Sequence, residues 1–378
     1  MRRRRDCQAD RRTFLKTVGM GVAAAGTMLE AAGAPAEAAG QSSVARPLTE
    51  SEKLSRLAMT CWPQRHLFKT YGRGTPNEET LGLRKKYGEI TMLDLPAWTK
   101  DRFPGVYHLD LWSDVFGDPA DTAQYADTTV ERNGKPFTTR RWDPAAPASR
   151  TWVKKLASII ANEKFVCQHL SNNAPQFLAD PDDTRRKEGI RVAKLWMDAA
   201  AVLGAKTMRA NTGTATGRIM PEAEDHATGY PKNEKIAVYL AKCIESFKEL
   251  ADYGAKVGVK ITIENHWGLC ANPMNIRIIM DEVNHPYCEC TPDFCNWENQ
   301  YHLFHGLEAV MPYTFTHVHA KYWDRWKTPE KDWNDVQRSV RILNAHRFKG
   351  TIALEWENGP MDGIEGTTWL MKEVLAAL

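Results

Sequence analysis

From Leu57 onward, short apolar runs that read as strands alternate with amphipathic stretches that read as helices. The strand-like runs are Leu57 to Trp62, Val106 to Trp112 in GVYHLDLW, then FVCQHLSNN, KTMRANTG, KITIENHWG, and three around ECTPDFCNW, FTHVHAKYWD and TIALEWENG. Between them, residues 151–162, 184–203 and 234–257 carry helical periodicity, and Gly204 and Gly258 stand where the last two would end. Strict alternation favours parallel strands joined by crossover helices. Eight such units favour closure into an α/β (β/α)8 TIM barrel. No GxGxxG follows an early strand, which weighs against an open doubly wound sheet.

Four residues stand at or just past the C-terminal ends of the last four runs: Glu264, Asp293, His319 and Glu355. The gaps between them are 29, 26 and 36 residues, each about one strand–helix unit. In a parallel barrel, strand ends converge on one rim. Three carboxylates and one imidazole around one point suit one divalent metal ion such as Mn²⁺, Co²⁺, Mg²⁺ or Zn²⁺. His317 shares a strand face with His319 and is the alternative ligand; His319 lies nearer the strand end. Glu264 and Glu355 fall three strands apart in an eight-strand ring. They are expected to face each other and to move a proton between the two faces of a bound carbon.

Other rim residues are candidates for holding substrate: His169 at the end of the third run, Arg209 and Asn211 at the fourth, Asn296, and Lys321, which shares the face of His319. Six of the thirteen tryptophans, Trp62, Trp112, Trp267, Trp297, Trp323 and Trp356, sit at or just past strand ends. Aromatic faces among a few polar groups describe a small-molecule pocket, and they suit the C–H faces of a sugar ring. Residues 113–147, with Asn133-Gly134 between Thr-rich arms, read as an inserted hairpin. Residues 211–231 read as a Thr/Gly/Pro-rich loop, and both insertions are expected to stand over the same rim.

Residues 1–38 read as a twin-arginine signal peptide. Arg11-Arg12-Thr13-Phe14-Leu15-Lys16 is followed by a weakly apolar Gly/Ala stretch and by Ala36-Glu37-Ala38 as a cleavage site. Residues 39–54 read as a linker, and 55–378 as the barrel. The expected partner is the twin-arginine export machinery, and the expected location periplasmic or extracellular. Removing the signal takes seven basic and four acidic residues and leaves 43 of each. The net charge of +3 therefore belongs to the signal. A neutral mature chain has no basic surplus for a phosphate backbone, which excludes nucleic acid as the expected partner. No later segment is apolar and long enough to span a bilayer. Of eight cysteines, Cys7 leaves with the signal. The odd remainder reads as buried thiols rather than a disulfide framework.

The segments IENH, PDFCN, HVHAK and ALEWE resemble the xylose isomerase-like TIM barrel superfamily, also described as sugar phosphate isomerases/epimerases, from about residue 55 to the end. The resemblance to its ketose 3-epimerases implies that Glu264, Asp293, His319 and Glu355 hold the metal and that the two glutamates transfer the proton. Where those epimerases carry a substrate-binding His three residues past the Asp, this chain has Asn296. Where they carry an Arg after the metal His, it has Lys321, Asp324 and Arg325 in another arrangement. The expected activity is isomerisation or epimerisation of a carbohydrate through an enediolate. A lyase or hydrolase of 3-keto-glycosides is the first alternative, and a non-catalytic carbohydrate-binding barrel the second.

Overall fold

A computed structural model describes residues 46–72, 76–132, 135–212, 236–266 and 268–378. The chain divides into two compact units, Met1–Pro47 and Leu48–Leu378. Residues 1–38, expected to be a signal, and most of the 211–231 loop lie outside the described residues. The strands are β1 (Leu57–Thr60), β2 (His108–Trp112), β3 (Tyr125–Arg132), β4 (Lys135–Trp142), β5 (Val166–Ser171), β6 (Thr207–Arg209), β7 (Lys260–Ile263), β8 (Cys288–Cys290), β9 (His317–Trp323) and β10 (Thr351–Asn358). Among the described residues, eight of them form one parallel sheet in the order β8-β7-β6-β5-β2-β1-β10-β9. β3 and β4 form a separate antiparallel hairpin, the insertion expected after the second barrel strand.

The two edges of the sheet meet. Asp293 and His319 form a parallel bridge, with the His319 amide donating to the Pro292 carbonyl at 2.9 Å and the Phe294 amide donating to the His319 carbonyl at 3.1 Å. The sheet is thus closed into the expected (β/α)8 barrel. The closing contact is also where two of the expected metal ligands stand.

Helices wrap the sheet: α1 (Glu50–Leu54), α2 (Glu78–Tyr87), α3 (Leu95–Arg102), α4 (Pro147–Asn162), α5 (Asp183–Val202), α6 (Ile236–Val257), α7 (Pro273–Val283), α8 (His302–Val310), α9 (Val336–Ala345) and α10 (Gly363–Ala377). α5 shows why they form. Asp182 caps its first turn by accepting from the Thr184 and Arg185 amides, and Ile190, Ala193, Trp196, Met197 and Ala200 bury one stripe. α1 falls inside the stretch expected to be linker. Thr49 and Glu52 make a reciprocal capping box there, which gives five residues a helical turn. Strands covered on both faces are apolar throughout where they meet helices, so polar side chains on the inner face stand out as a separate layer.

Candidate active site

Side chains alternate along a strand, and β9 and β10 show the consequence. His317, His319 and Lys321 project to the barrel interior, as does Glu355. Trp356, the residue after Glu355, points to the helical layer and stacks on Tyr322 at 4.9 Å and 8°. Glu264 follows the end of β7 directly, and Asp293 lies three residues past β8. Glu264, Asp293 and His319 each bring a ligand atom within 4.8 Å of the others. Nδ1 of His319 lies 3.5 Å from a Glu264 oxygen and 3.7 Å from a Glu355 oxygen. All four expected ligands therefore meet, and all four are buried.

Two permanent cations hold this cluster. Arg209 pairs with Glu264 and donates to the Asn173 side-chain oxygen at 2.7 Å. Lys321, opposite Glu355 in the β9–β10 register, lies 3.0 Å from Glu355, 3.3 Å from Asp293 and 3.1 Å from Glu357. Asn296 donates to Glu264 at 3.1 Å and to Asp293 at 3.0 Å, and accepts from Lys321 at 3.2 Å. The other Asp293 oxygen accepts from the Cys295 and Asn296 amides. Asp110 of β2 completes the set, accepting from Nε2 of His319 at 2.9 Å.

The donor set fits a divalent ion. Five carboxylates, Asp110, Glu264, Asp293, Glu355 and Glu357, gather around Arg209 and Lys321, with Arg325 lining the same cavity. The carboxylates outnumber the permanent cations among them, a costly arrangement in a largely buried site without a further cation. Nδ1 of His319 is buried and makes no hydrogen bond, although it is aimed at two carboxylates. The titration of the cation-free site reflects the same excess. Burial, aided by Glu355 and Glu264 and opposed by Lys321, pushes the Asp293 carboxyl up to about 7. Burial opposes charge on His319, but Glu264 and Asp110 overcome it and hold the imidazolium well above its usual range. For Glu264, burial is outweighed by Arg209 and His319, and its carboxyl stays well below the usual range.

Above the cluster opens a cavity of about 220 Å³. Trp62, Trp112 and Trp323 form aromatic walls, and Arg209, Asn296, Lys321, Glu355 and Glu357 are polar groups at its surface. Trp112 is also a wall of a second cavity, of about 490 Å³, against the β3–β4 hairpin. Of the residues expected to hold substrate, the structure brings Arg209, Lys321, Asn296 and Trp112 to the smaller cavity. Trp267 lies outside the described residues. His169 is fully buried beneath the cavity with its Nδ1 on Thr207, and it does not line the wall. Trp297 and Trp356 are buried in packing rather than open to the cavity. Asp110 and Glu357 were missed. An aspartate inside the apolar HLDLW, and a second glutamate two residues past Glu355 on the same face, were the available signals. The thiols are buried and unpaired as expected, and burial pushes Cys270 up to about 12.

The family model for the xylose isomerase-like TIM barrel matches residues 128–373. The chain belongs to that family. No curated protein matches it. Solved structures similar to this family member include a putative xylose isomerase from Rhodospirillum rubrum, with 12% identity, a TM-score of 0.56, and 86% of this chain and 99% of that one covered. The 3-keto-D-glucoside 4-epimerase of E. coli is 11% identical, with a TM-score of 0.53 and coverage of 84% and 99%. A xylose isomerase-like barrel protein from Mycobacterium smegmatis, solved in complex with magnesium, is 15% identical, with a TM-score of 0.51 and coverage of 77% and 92%. At these identities the likeness is one of fold.

Proposed function

We propose that the chain is a metal-dependent carbohydrate isomerase or epimerase that works through an enediolate. One arrangement carries this reading. Glu355 opens to the cavity while its second oxygen meets the same His319 nitrogen that Glu264 approaches. A divalent ion held by Glu264, Asp293, His319 and Glu355 would polarise the substrate carbonyl and stabilise the charge that develops on it. Glu355 faces the sugar and takes the proton from the carbon beside the carbonyl. Glu264, which does not line the cavity, is kept ionised by Arg209 and approaches the same His319 nitrogen as Glu355; in this reading it is the second proton carrier. Lys321 and Asn296 line the cavity and hold the carboxylates in place beneath the sugar, and Trp62, Trp112 and Trp323 cover the ring and keep out water. The 3-keto-glucoside epimerase and the magnesium-bound barrel protein among the similar structures support this reading.

The second cavity favours a related chemistry. A leaving group attached to the sugar has room beyond Trp112, which suits a lyase that abstracts the same proton and then eliminates. Turnover of ketoses, aldoses and 3-keto-glycosides in D₂O, followed by NMR, separates the readings. An isomerase or epimerase returns a sugar of unchanged skeleton carrying deuterium. A lyase releases the leaving group and an unsaturated or hydrated sugar. Turnover without solvent deuterium would reject the enediolate, and saturable sugar binding without turnover would establish a binding barrel.

We further propose that the chain is exported by the twin-arginine route, on the strength of Arg11-Arg12 and the small-residue stretch after them. Among the described residues no helix is long and apolar enough to cross a membrane. Arg11→Lys/Arg12→Lys is expected to strand the precursor in the cytoplasm of an expressing cell. Normal export of that variant, read by cell fractionation, would reject the signal.

A further inference from the structure

Beneath the cavity floor lies a second cluster that the proposed reaction does not use. The β2–β5 register slips between Leu109 and Asp110, a bulge that sets Asp110 directly opposite His169. Asp110, His169 and His319 each offer an atom within 4.8 Å of the others, and all three are fully buried. His317 stacks on His169 at 4.6 Å, and its Nε2 stands 3.8 Å from Asp110.

The far nitrogens of two rings are fastened. Nδ1 of His169 shares a hydrogen bond with the Thr207 hydroxyl at 2.7 Å. Nδ1 of His317 shares one with the Thr351 hydroxyl, also at 2.7 Å. Both Nε2 atoms are buried without a hydrogen-bond partner, and so is Oδ1 of Asp110. Nε2 of His169 and Oδ1 of Asp110 belong to the trio, and buried polar atoms left unpartnered are unfavourable unless a cation or a donor joins them. Threonine hydroxyls fastening the far nitrogens are the kind of outer support that metal-bound histidines have.

We propose that Asp110, His169 and His319 form a second site for a divalent transition ion, with His317 as its nearest further donor. Imidazole nitrogens with one carboxylate suit Zn²⁺ or Co²⁺ better than Mg²⁺. His319 stands between the two sites. Its Nδ1 faces Glu264 and Glu355, and its Nε2 faces Asp110. One imidazole thus serves ions on both sides. Entry runs from the cavity past Ser171, which lines the floor and donates to Asp110 at 3.1 Å.

The test is stoichiometry, independent of activity. The full chain is stripped with chelator, dialysed against Zn²⁺ and read by elemental analysis, with thermal melts to check folding. Wild type is expected to take up two equivalents. His169→Gln and Asp110→Asn should each lose the lower ion. Asp293→Asn should lose the rim ion, and the His169→Gln/Asp293→Asn double variant both. A single equivalent that Asp293→Asn keeps and His169→Gln loses would uphold the lower site and remove the rim site instead. A single equivalent that survives His169→Gln, or no uptake at all, would overturn the proposal. A wild-type count of two or of none decides without the variants, and a count of one is assigned by whichever of His169→Gln and Asp110→Asn folds.

Discussion

Asp293→Ala is expected to lose the rim ion. Loss of a residue that only supports a metal ligand already costs about 10–100-fold in affinity, and loss of a ligand costs more. The variant also removes the acceptor of the Cys295 and Asn296 amides, so a structural effect must be separated from a ligand effect. Asp293→Asn does this, because it keeps an acceptor for both amides while removing the charge. Both variants should fail to retain Zn²⁺ or Mn²⁺ at the rim. Full rim occupancy in both would remove Asp293 from the ligand set. Uptake should also depend on pH in a definite direction. In the cation-free protein Asp293 keeps its proton up to about 7, and His319 is protonated above its usual range. An incoming ion must displace both protons. Affinity should therefore rise with pH through neutrality, by about tenfold per pH unit for each proton released. Calorimetry in two buffers of different ionisation enthalpy would count those protons. Affinity independent of pH between 6 and 8 would contradict the proton displacement.

Glu355→Gln is expected to lower turnover by about 10²–10⁴-fold, the usual worth of a general acid–base group, or further because the residue is also a ligand. In transition-state terms that is about 2.7–5.4 kcal/mol. Solvent deuterium should disappear from the product in step with turnover. The variant is a clean probe because Lys321 keeps Asp293 and Glu357 as partners. Glu264→Gln is a poorer one. It leaves the buried Arg209 guanidinium with only the Asn173 amide oxygen in place of its carboxylate. Breaking such a buried pair costs about 3–5 kcal/mol of stability. A Glu264→Gln enzyme that is inactive must therefore be shown to be folded before the loss is assigned to chemistry. Full activity in both variants would sink the enediolate mechanism.

Much of the site was legible because strand ends in a parallel barrel point one way. Glu264, Asp293, His319 and Glu355 needed only spacing and their place after apolar runs to be grouped. Lys321 followed from alternation with His319. The same alternation, applied one residue further, reaches Glu357 from Glu355 and excludes Trp356 from the cavity. Alternation could not be applied to Trp297, which is past its strand and packs in the core on Gly306, where a Cβ would approach the indole to 2.9 Å. His169 was assigned to the substrate because it ends a strand-like run. How far below the rim it sits depends on where β5 stands relative to its neighbours, and a stagger between strands leaves no mark in a single sequence.

The sequence by itself determined the eight-unit α/β plan, the grouping of Glu264, Asp293, His319 and Glu355 at the rim, the inserted hairpin and the buried thiols, because each depends on local periodicity or on residue type. Tertiary structure alone decided three things. The Asp293–His319 bridge closes the sheet and brings two of the proposed ligands together. Lys321 sits among three carboxylates as the counter-charge of the rim. Asp110 and His169, 59 residues apart in the chain, meet under His319 through a slipped register. Each of these is a contact between strands distant in sequence, set by shear and closure of the barrel, and those quantities belong to the whole ring rather than to any one segment of it.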